Sequence, residues 1–228
     1  MNQAYEKYQA VKKALLAQAD PERAVSMAAY MRNQFAFLGI QAAARRQAYK
    51  ENLKAFKKSA AVDYEFLNFC FSDGYRELQY FVVDALNGVQ KRLTPADVPK
   101  IEPYLRHKQW WDTIDGLDKI VGRIGLNDSA YRPEIEAVMR QWGQDPNFWM
   151  RRVAIDHQRG MKEQTNAPLL AELIEMNLGS DEFFINKAIG WSLREYSKTN
   201  PDWVRDFLKT HESRMARLSV SEAAKYLG

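Results

Sequence analysis

The segment Lys108-Gln109-Trp110-Trp111-Asp112-Thr113-Ile114-Asp115 combines two residue types suited to handling a cationic substrate. On a helix Trp111 and Asp115 are four apart and share a face, while Trp110 is turned away by about 100°. An indole beside a carboxylate shapes a site for a cation, through the negative ring face and the anion itself. The same residues fit a plainer role, because a tryptophan in a helical repeat fills core and an aspartate near a helix start caps it or complements its dipole. Asp112 and Asp118 lie three residues to either side of Asp115, and spacing does not choose among the three carboxylates.

Two further segments carry candidate chemistry. Asn147-Phe148-Trp149-Met150-Arg151-Arg152-Val153-Ala154 sets paired arginines on an otherwise apolar helix, with Arg152 three residues after Trp149. A guanidinium there serves either as a phosphate clamp, through bidentate bonds to phosphate oxygens, or as a salt bridge to a neighbouring repeat. Phe183-Phe184-Ile185-Asn186-Lys187-Ala188-Ile189-Gly190-Trp191 places Trp191 on a helix with a glycine in its interior. Gly190 costs about 1 kcal/mol relative to alanine, so a close-packed neighbour is expected to need the space. Trp191 is either core or a second aromatic wall. His107, His157 and His211 are scattered without ligand spacing, and no glycine-rich phosphate loop or Gly-x-Ser-x-Gly elbow occurs. The expected chemistry therefore uses no metal and no cofactor.

These residues need helices to position them, and the sequence predicts little else. Apolar residues recur at spacings of three and four almost throughout, and alternation of period two is hard to find. Helix starts are marked at Asp20-Pro21-Glu22, Thr94-Pro95-Ala96-Asp97 and Asn200-Pro201-Asp202, and Ser219-x-x-Glu222 reads as a capping box for a last short helix. Further helices are predicted over Gln41 to Lys57, Asp63 to Ser72, Tyr75 to Lys91, Trp111 to Ile124, Pro133 to Trp142, Phe148 to Met161, Ala167 to Asn177 and Glu182 to Tyr196. About a dozen helices with short joins, recurring every 35 to 45 residues or so, predict an all-α fold. The expected architecture is an α-solenoid of HEAT-like antiparallel pairs whose concave face could hold a duplex.

Composition sets the boundaries. The 228 residues, 46% hydrophobic and 27% charged, suffice for one domain over 1–228 with a substantial core. Met1 to Lys13 mixes Glu6, Lys7, Lys12 and Lys13 with apolar residues, unlike a signal peptide, and no run of about 18 apolar residues exists, so a cytoplasmic protein away from membranes is expected. The single cysteine, Cys70, excludes an internal disulfide and, lying among Phe66, Phe69 and Phe71, reads as a buried thiol. Net charge is +4, and cations gather in Arg45, Arg46, Lys50, Lys54, Lys57 and Lys58, in Arg151, Arg152, Arg159 and Lys162, and in Arg214 and Arg217. Such clusters fit either solvated helix faces or a nucleic-acid surface.

Taken together with Tyr30-Met31-Arg32-Asn33-Gln34-Phe35-Ala36-Phe37-Leu38-Gly39-Ile40-Gln41, these segments resemble the AlkD-like DNA alkylation-repair glycosylases. The most specific pieces are Trp-Trp-Asp-x-x-Asp, ending in Asp115, and Lys-Ala-Ile-Gly-Trp-x-Leu-Arg-Glu-Tyr, ending in Tyr196 and running on into Lys198-Thr199-Asn200-Pro201. The similarity covers nearly the whole chain, with weaker matches between Leu117 and Trp142 and between Lys54 and Asp63.

The resemblance implies a monomeric HEAT-like superhelix that binds double-stranded DNA containing alkylated bases. It selects Asp115 as the catalytic carboxylate, makes Trp111 and Trp191 the walls around the lesion's deoxyribose, and makes Arg152 the phosphate contact. Tyr30 and Gln41 match positions near DNA, and Arg45, Arg46 and Arg151 join them as expected DNA contacts. The implied reaction is hydrolysis of the N-glycosidic bond of N3- or N7-alkylated purines without base extrusion. Such a base leaves neutral, so the reaction needs no general acid, only stabilisation of an oxocarbenium-like sugar by an ionised carboxylate. The alternatives are a non-catalytic solenoid that binds distorted or branched DNA and a protein-interaction scaffold.

Overall fold

Capping side chains start seven of the helices. Asp20 accepts the Arg23 amide ahead of Pro21, Asn147 that of Trp149, Asn166 that of Leu169 and Asn200 that of Trp203 ahead of Pro201. The computed structural model describes residues 2–227, and these form fourteen α-helices with short 3-10 turns and no strand. Among the described residues no helix is long and apolar enough to cross a membrane.

Where one domain over 1–228 is expected, the chain divides into two compact units, meeting between Gln90 and Lys91. The first holds α1 (Gln3–Leu16), α2 (Pro21–Tyr30), α3 (Ala42–Ala48), α4 (Lys50–Lys58), α5 (Tyr64–Ser72) and α6 (Arg76–Val89). α6 packs against α4 and α5, and α5 against α1, around Phe66, Leu67, Cys70, Leu78 and Phe81, all fully or almost fully buried. The buried Glu77 carboxylate accepts the amides of Leu38, Gly39 and Ile40 at 3.0, 3.0 and 3.2 Å, fixing the loop between α2 and α3. Gly39 is required there: its φ is +85°, and a Cβ would stand 2.0 Å from the Asp20 carbonyl oxygen.

The second unit holds α7 (Val98–Arg106), α8 (Trp111–Gly122), α9 (Arg132–Trp142), α10 (Phe148–Asp156), α11 (Ala167–Glu175), α12 (Phe183–Ser197), α13 (Pro201–His211) and α14 (Arg217–Ala223). α10 packs against both α8 and α12, and α12 against α14. Ile155, Ile185, Ile189, Leu193, Val204 and Ala223 form one core across α10, α12, α13 and α14. The close approach of α12 to α14 explains Gly190, where a Cβ would lie 2.6 Å from the Glu222 Cβ and 3.1 Å from the Ser219 carbonyl oxygen.

Three sequence expectations are corrected. The helix expected over Gln41 to Lys57 breaks at Tyr49, whose buried ring packs edge-on against Phe81 and whose hydroxyl donates to Asp84 at 2.6 Å. The helix expected from Phe148 to Met161 ends at Asp156, and Gly160 beyond it takes a φ of +87°. Ser219 and Glu222 form no capping box: both lie inside α14, with the Ser219 hydroxyl donating to the Asn186 carbonyl at 2.8 Å and Glu222 paired with Lys187 and Arg194 on α12.

Candidate functional site

α8 presents its first turn at the site because Trp110, in extended conformation, ends the preceding turn and Trp111 opens the helix. Trp110 itself turns into an aromatic cluster, 5.9 Å from Trp149 and 5.5 Å from Phe184 between ring centroids, while Trp149 and Phe184 stand 4.5 Å apart. This cluster adjoins the site through Phe184, whose ring centroid lies 5.9 Å from the Arg152 guanidinium, and it accounts for the buried Trp149. Trp111 and Trp191, from α8 and α12, are half-buried.

Asp115 meets Arg152 across the α8–α10 contact. Arg152 Nε donates to Asp115 Oδ1 at 3.0 Å, and Nη2 donates to Oδ1 at 2.8 Å and to Oδ2 at 3.0 Å. Its Nη1 donates to the Phe184 carbonyl at 2.8 Å. Arg152, expected as a phosphate contact, is 1% exposed, and its nitrogens are bonded within the protein, where the arginine holds the carboxylate. The Asp115 side chain keeps 17% of its surface open. Burial pushes its carboxyl above the ordinary carboxylate range, against the opposing pull of the Arg152 guanidinium.

Behind this pair lies a second layer whose Asp156 sequence reasoning missed. Asp115, Asp118 and Asp156 have carboxylate oxygens within 4.8 Å of one another. Asp156 accepts the Ser192 hydroxyl at 2.8 Å and lies 3.6 Å from both Arg152 and Arg159, and Arg159 lies 3.5 Å from Asp118. Three carboxylates at this spacing are a donor set a cation could use, but two guanidinium groups already stand among them, so the arrangement is that of a buried ion-pair network. Its signal in the sequence is Arg152, Asp156 and Arg159 at i, i+4 and i+7, charged positions that fall on one face at helical spacing.

The Trp191 ring is surrounded by the protein's own cations. Arg159, Lys187, Arg152 and Arg194 place their charged groups 5.1, 5.2, 5.6 and 5.7 Å from its centroid. Lys187 and Arg194 are held by Glu222 at 2.8 and 2.7 Å, and Lys225 also reaches it at 2.8 Å. The hydrogen bonds from Lys187 and Lys225 hold the Glu222 carboxyl down to about 2.

The remaining expected DNA contacts divide. Tyr30 ends α2 and is 72% exposed, and Gln41 is exposed at the start of α3 with no side-chain capping bond. Arg151 is half-buried and donates to the Asp145 carbonyl at 3.0 Å. Arg45 is buried, donates to the Tyr49 hydroxyl at 3.1 Å and lies 4.2 Å over the Tyr80 ring, where it braces α3. Arg46 is exposed, 3.3 Å from Asp84, and lines a groove of about 740 Å³ with Lys50, Lys54, Lys57 and Lys58. Gly88 makes room there for Lys57, whose Cε would lie 2.3 Å from a Cβ at that position.

A family model described as DNA alkylation repair enzyme matches residues 11–227. Among solved structures, one titled as a predicted DNA alkylation repair enzyme from Enterococcus faecalis is 36% identical, superposes with a TM-score of 0.85, and is matched over 92% of this chain and 97% of its own. The smu.31 protein of Streptococcus mutans UA159 and AlkD2 of Streptococcus mutans each share 16% identity, with TM-scores of 0.62 and 0.58. Both matches cover 80% of this chain, with 92% and 99% of those chains, and they show a shared fold. No curated protein matches.

Proposed function

Because this chain belongs to the DNA alkylation repair enzyme family, we propose that it is a monofunctional DNA glycosylase hydrolysing the N-glycosidic bond of cationic N3- or N7-alkylated purines in double-stranded DNA. The observation that carries the reading is the Asp115 carboxylate, 17% open and fixed in place by three N–H bonds from a buried arginine. A carboxylate so oriented needs no reorganisation when positive charge develops beside it.

The reaction runs as follows. The C1′–N9 bond breaks with both electrons passing to the cationic purine, which leaves neutral. Asp115 stabilises the oxocarbenium-like sugar and orients a water whose oxygen bonds to C1′, and that water's proton is released. At about 4 Å and an effective dielectric of about 20, an anion lowers the energy of the developing cation by about 4 kcal/mol, roughly a thousandfold in rate. Trp111 and Trp191 wall the sugar and exclude water. The lesion's charge, already present in the ground state, is what makes leaving-group protonation unnecessary, and extrusion of the base forms no part of the reading.

Arg46, Lys50, Lys54, Lys57 and Lys58, together with the exposed Tyr30 and Gln41, supply the surface for the phosphate backbone. Release of 7-methylguanine or 3-methyladenine from methylated duplex tests the proposal. The wild type releases the base, and Asp115→Asn reduces release by about three orders of magnitude while retaining duplex binding. No release by the wild type overturns the glycosylase reading in favour of a binding protein for damaged or branched DNA, and full activity of Asp115→Asn removes the catalytic role from Asp115.

A further inference from the structure

The three carboxyl groups behind the site are not equivalently satisfied. Asp115 receives three N–H bonds from Arg152 and is partly solvated. Asp156 receives the Ser192 hydroxyl on Oδ1, yet its Oδ2 has no hydrogen-bond partner. Asp118 is fully buried, its Oδ1 accepts only the adjoining Lys119 amide, and its Oδ2 has no hydrogen-bond partner, with Arg159 nearest at 3.5 Å.

Charge counting points the same way. With all three carboxyls ionised, two guanidinium groups face three anions inside the protein, and one negative charge is left without compensation. A single proton removes that excess. Placed on Asp118 it also turns one oxygen of a buried carboxylate that lacks a donor from an acceptor into a donor, in a cluster whose carboxylate oxygens lie within 4.8 Å of one another.

From this geometry we infer that Asp118 is a positioning residue that carries the cluster's one proton, leaving Asp115 as the anion that faces the substrate. This rests on the catalytic role proposed for Asp115. The surroundings agree with the assignment: burial first, then the neighbouring Asp156 and Asp115, push the Asp118 carboxyl up to about 8 against the pull of Arg159. The other charged groups around the cluster are Lys119 on α8, Arg152, Asp156 and Arg159 from α10 and its end, Lys187, Arg194 and Glu195 on α12, and Glu222 on α14. Glu222 is already engaged by Lys187, Arg194 and Lys225 and takes no share of the proton.

The test is carbon-detected NMR of aspartate-labelled protein, following each side-chain carboxyl carbon from pH 5 to 10. The Asp118 resonance, assigned through its own Cα and Cβ in the unmodified protein, is expected to be that of a protonated carboxyl at pH 6 to 7 and to move to the carboxylate position in mildly alkaline solution, while Asp115 is a carboxylate at pH 7. A second expectation concerns stability. The folded chain binds a proton at Asp118 that the unfolded chain releases above about pH 4, so thermal stability falls as pH rises from about 4 to about 8. Asp118→Asn removes that decline and, in single-turnover base release, removes the alkaline inflection that the wild type shows. An Asp118 resonance already in the carboxylate position at pH 6, or a protonated resonance that belongs to Asp115, overturns the inference. Both outcomes are read on the protein alone, so a wild type without glycosylase activity would sink the proposed function and leave the location of the proton measured.

Discussion

Replacing Arg152 with alanine separates a structural clamp from a DNA contact. The side chain is 1% exposed and supplies three N–H bonds to Asp115 and one to the Phe184 carbonyl. Its loss leaves Asp115 and Asp156 with Arg159 as the remaining nearby guanidinium, and breaking a buried pair from one side costs about 3–5 kcal/mol. At about 3 °C per kcal/mol for a chain of this size, Tm is expected to fall by about 10–15 °C. The Asp115 carboxyl, already pushed upward by burial, loses its largest opposing influence and rises further. Base release at neutral pH, measured well below the lowered Tm, therefore falls by about two to three orders of magnitude and recovers partly as pH is raised, because raising the pH restores the anion. DNA affinity measured against salt keeps the wild-type slope, since a residue that neutralises no phosphate releases no counterion. A true phosphate contact would reduce that slope by about 0.9. A slope reduced by that amount with Tm unchanged would refute the clamp and return Arg152 to the DNA surface.

Other outcomes follow from the same geometry. Gly190→Ala forces a Cβ to 2.6 Å from the Glu222 Cβ; overpacking of about 1–3 kcal/mol exceeds the gain of about 1 kcal/mol in helix propensity, so calorimetry is expected to show a lower Tm, and a raised one would mean that α12 and α14 pack more loosely than described. Lys50→Glu combined with Lys57→Glu weakens duplex binding irrespective of base sequence and lowers the salt slope, and an unchanged slope removes the groove from the DNA surface. Glu222, held down to about 2 in the folded chain, contributes stability above its unfolded value near 4.5 that is lost as pH falls through about 2. Glu222→Gln flattens the acid side of the stability profile between those values, and a profile indistinguishable from wild type would show that the lysine pairs add nothing.

The helices were legible because their signals are local. Asp20, Asn147, Asn166 and Asn200 occupy helix N-caps through hydrogen bonds that each residue makes within three positions of itself, and spacings of three and four need no knowledge of the partner helix. The misreadings arise where a distant group outbids the local one. The stretch from Gln41 to Lys57 is a continuous helix by propensity, yet Tyr49 is drawn to Phe81 and Asp84 on α6, and the helix breaks there. Ser219 and Glu222 have the spacing of a capping box, but their polar atoms are taken by Asn186, Lys187 and Arg194. The Gly160 turn that follows α10 is different, because a glycine four residues after Asp156 was a local stop signal that the apolar pattern overrode.

Legibility at the site follows the same division. Trp111 and Asp115 share a helix face by arithmetic alone, and Arg152 was visible as a charge on an apolar helix with two possible partners, phosphate or another repeat. Only the packing of α8 on α10 decides between them, because a guanidinium three bonds deep in a carboxylate has no fork left for phosphate. The decision changes what the site needs for charge balance. With Arg152 spent on Asp115, the positive charge that faces DNA comes from elsewhere, and Arg159, Lys187 and Arg194 of the second unit are engaged around Trp191 and Glu222. The groove of the first unit, lined by Arg46, Lys50, Lys54, Lys57 and Lys58, is one such source. Under the proposed function, binding and bond cleavage draw on different units of the chain, so charge reversal in the groove should alter affinity without touching the carboxylates, while changes in the Asp115 network should alter the chemical step at constant salt dependence.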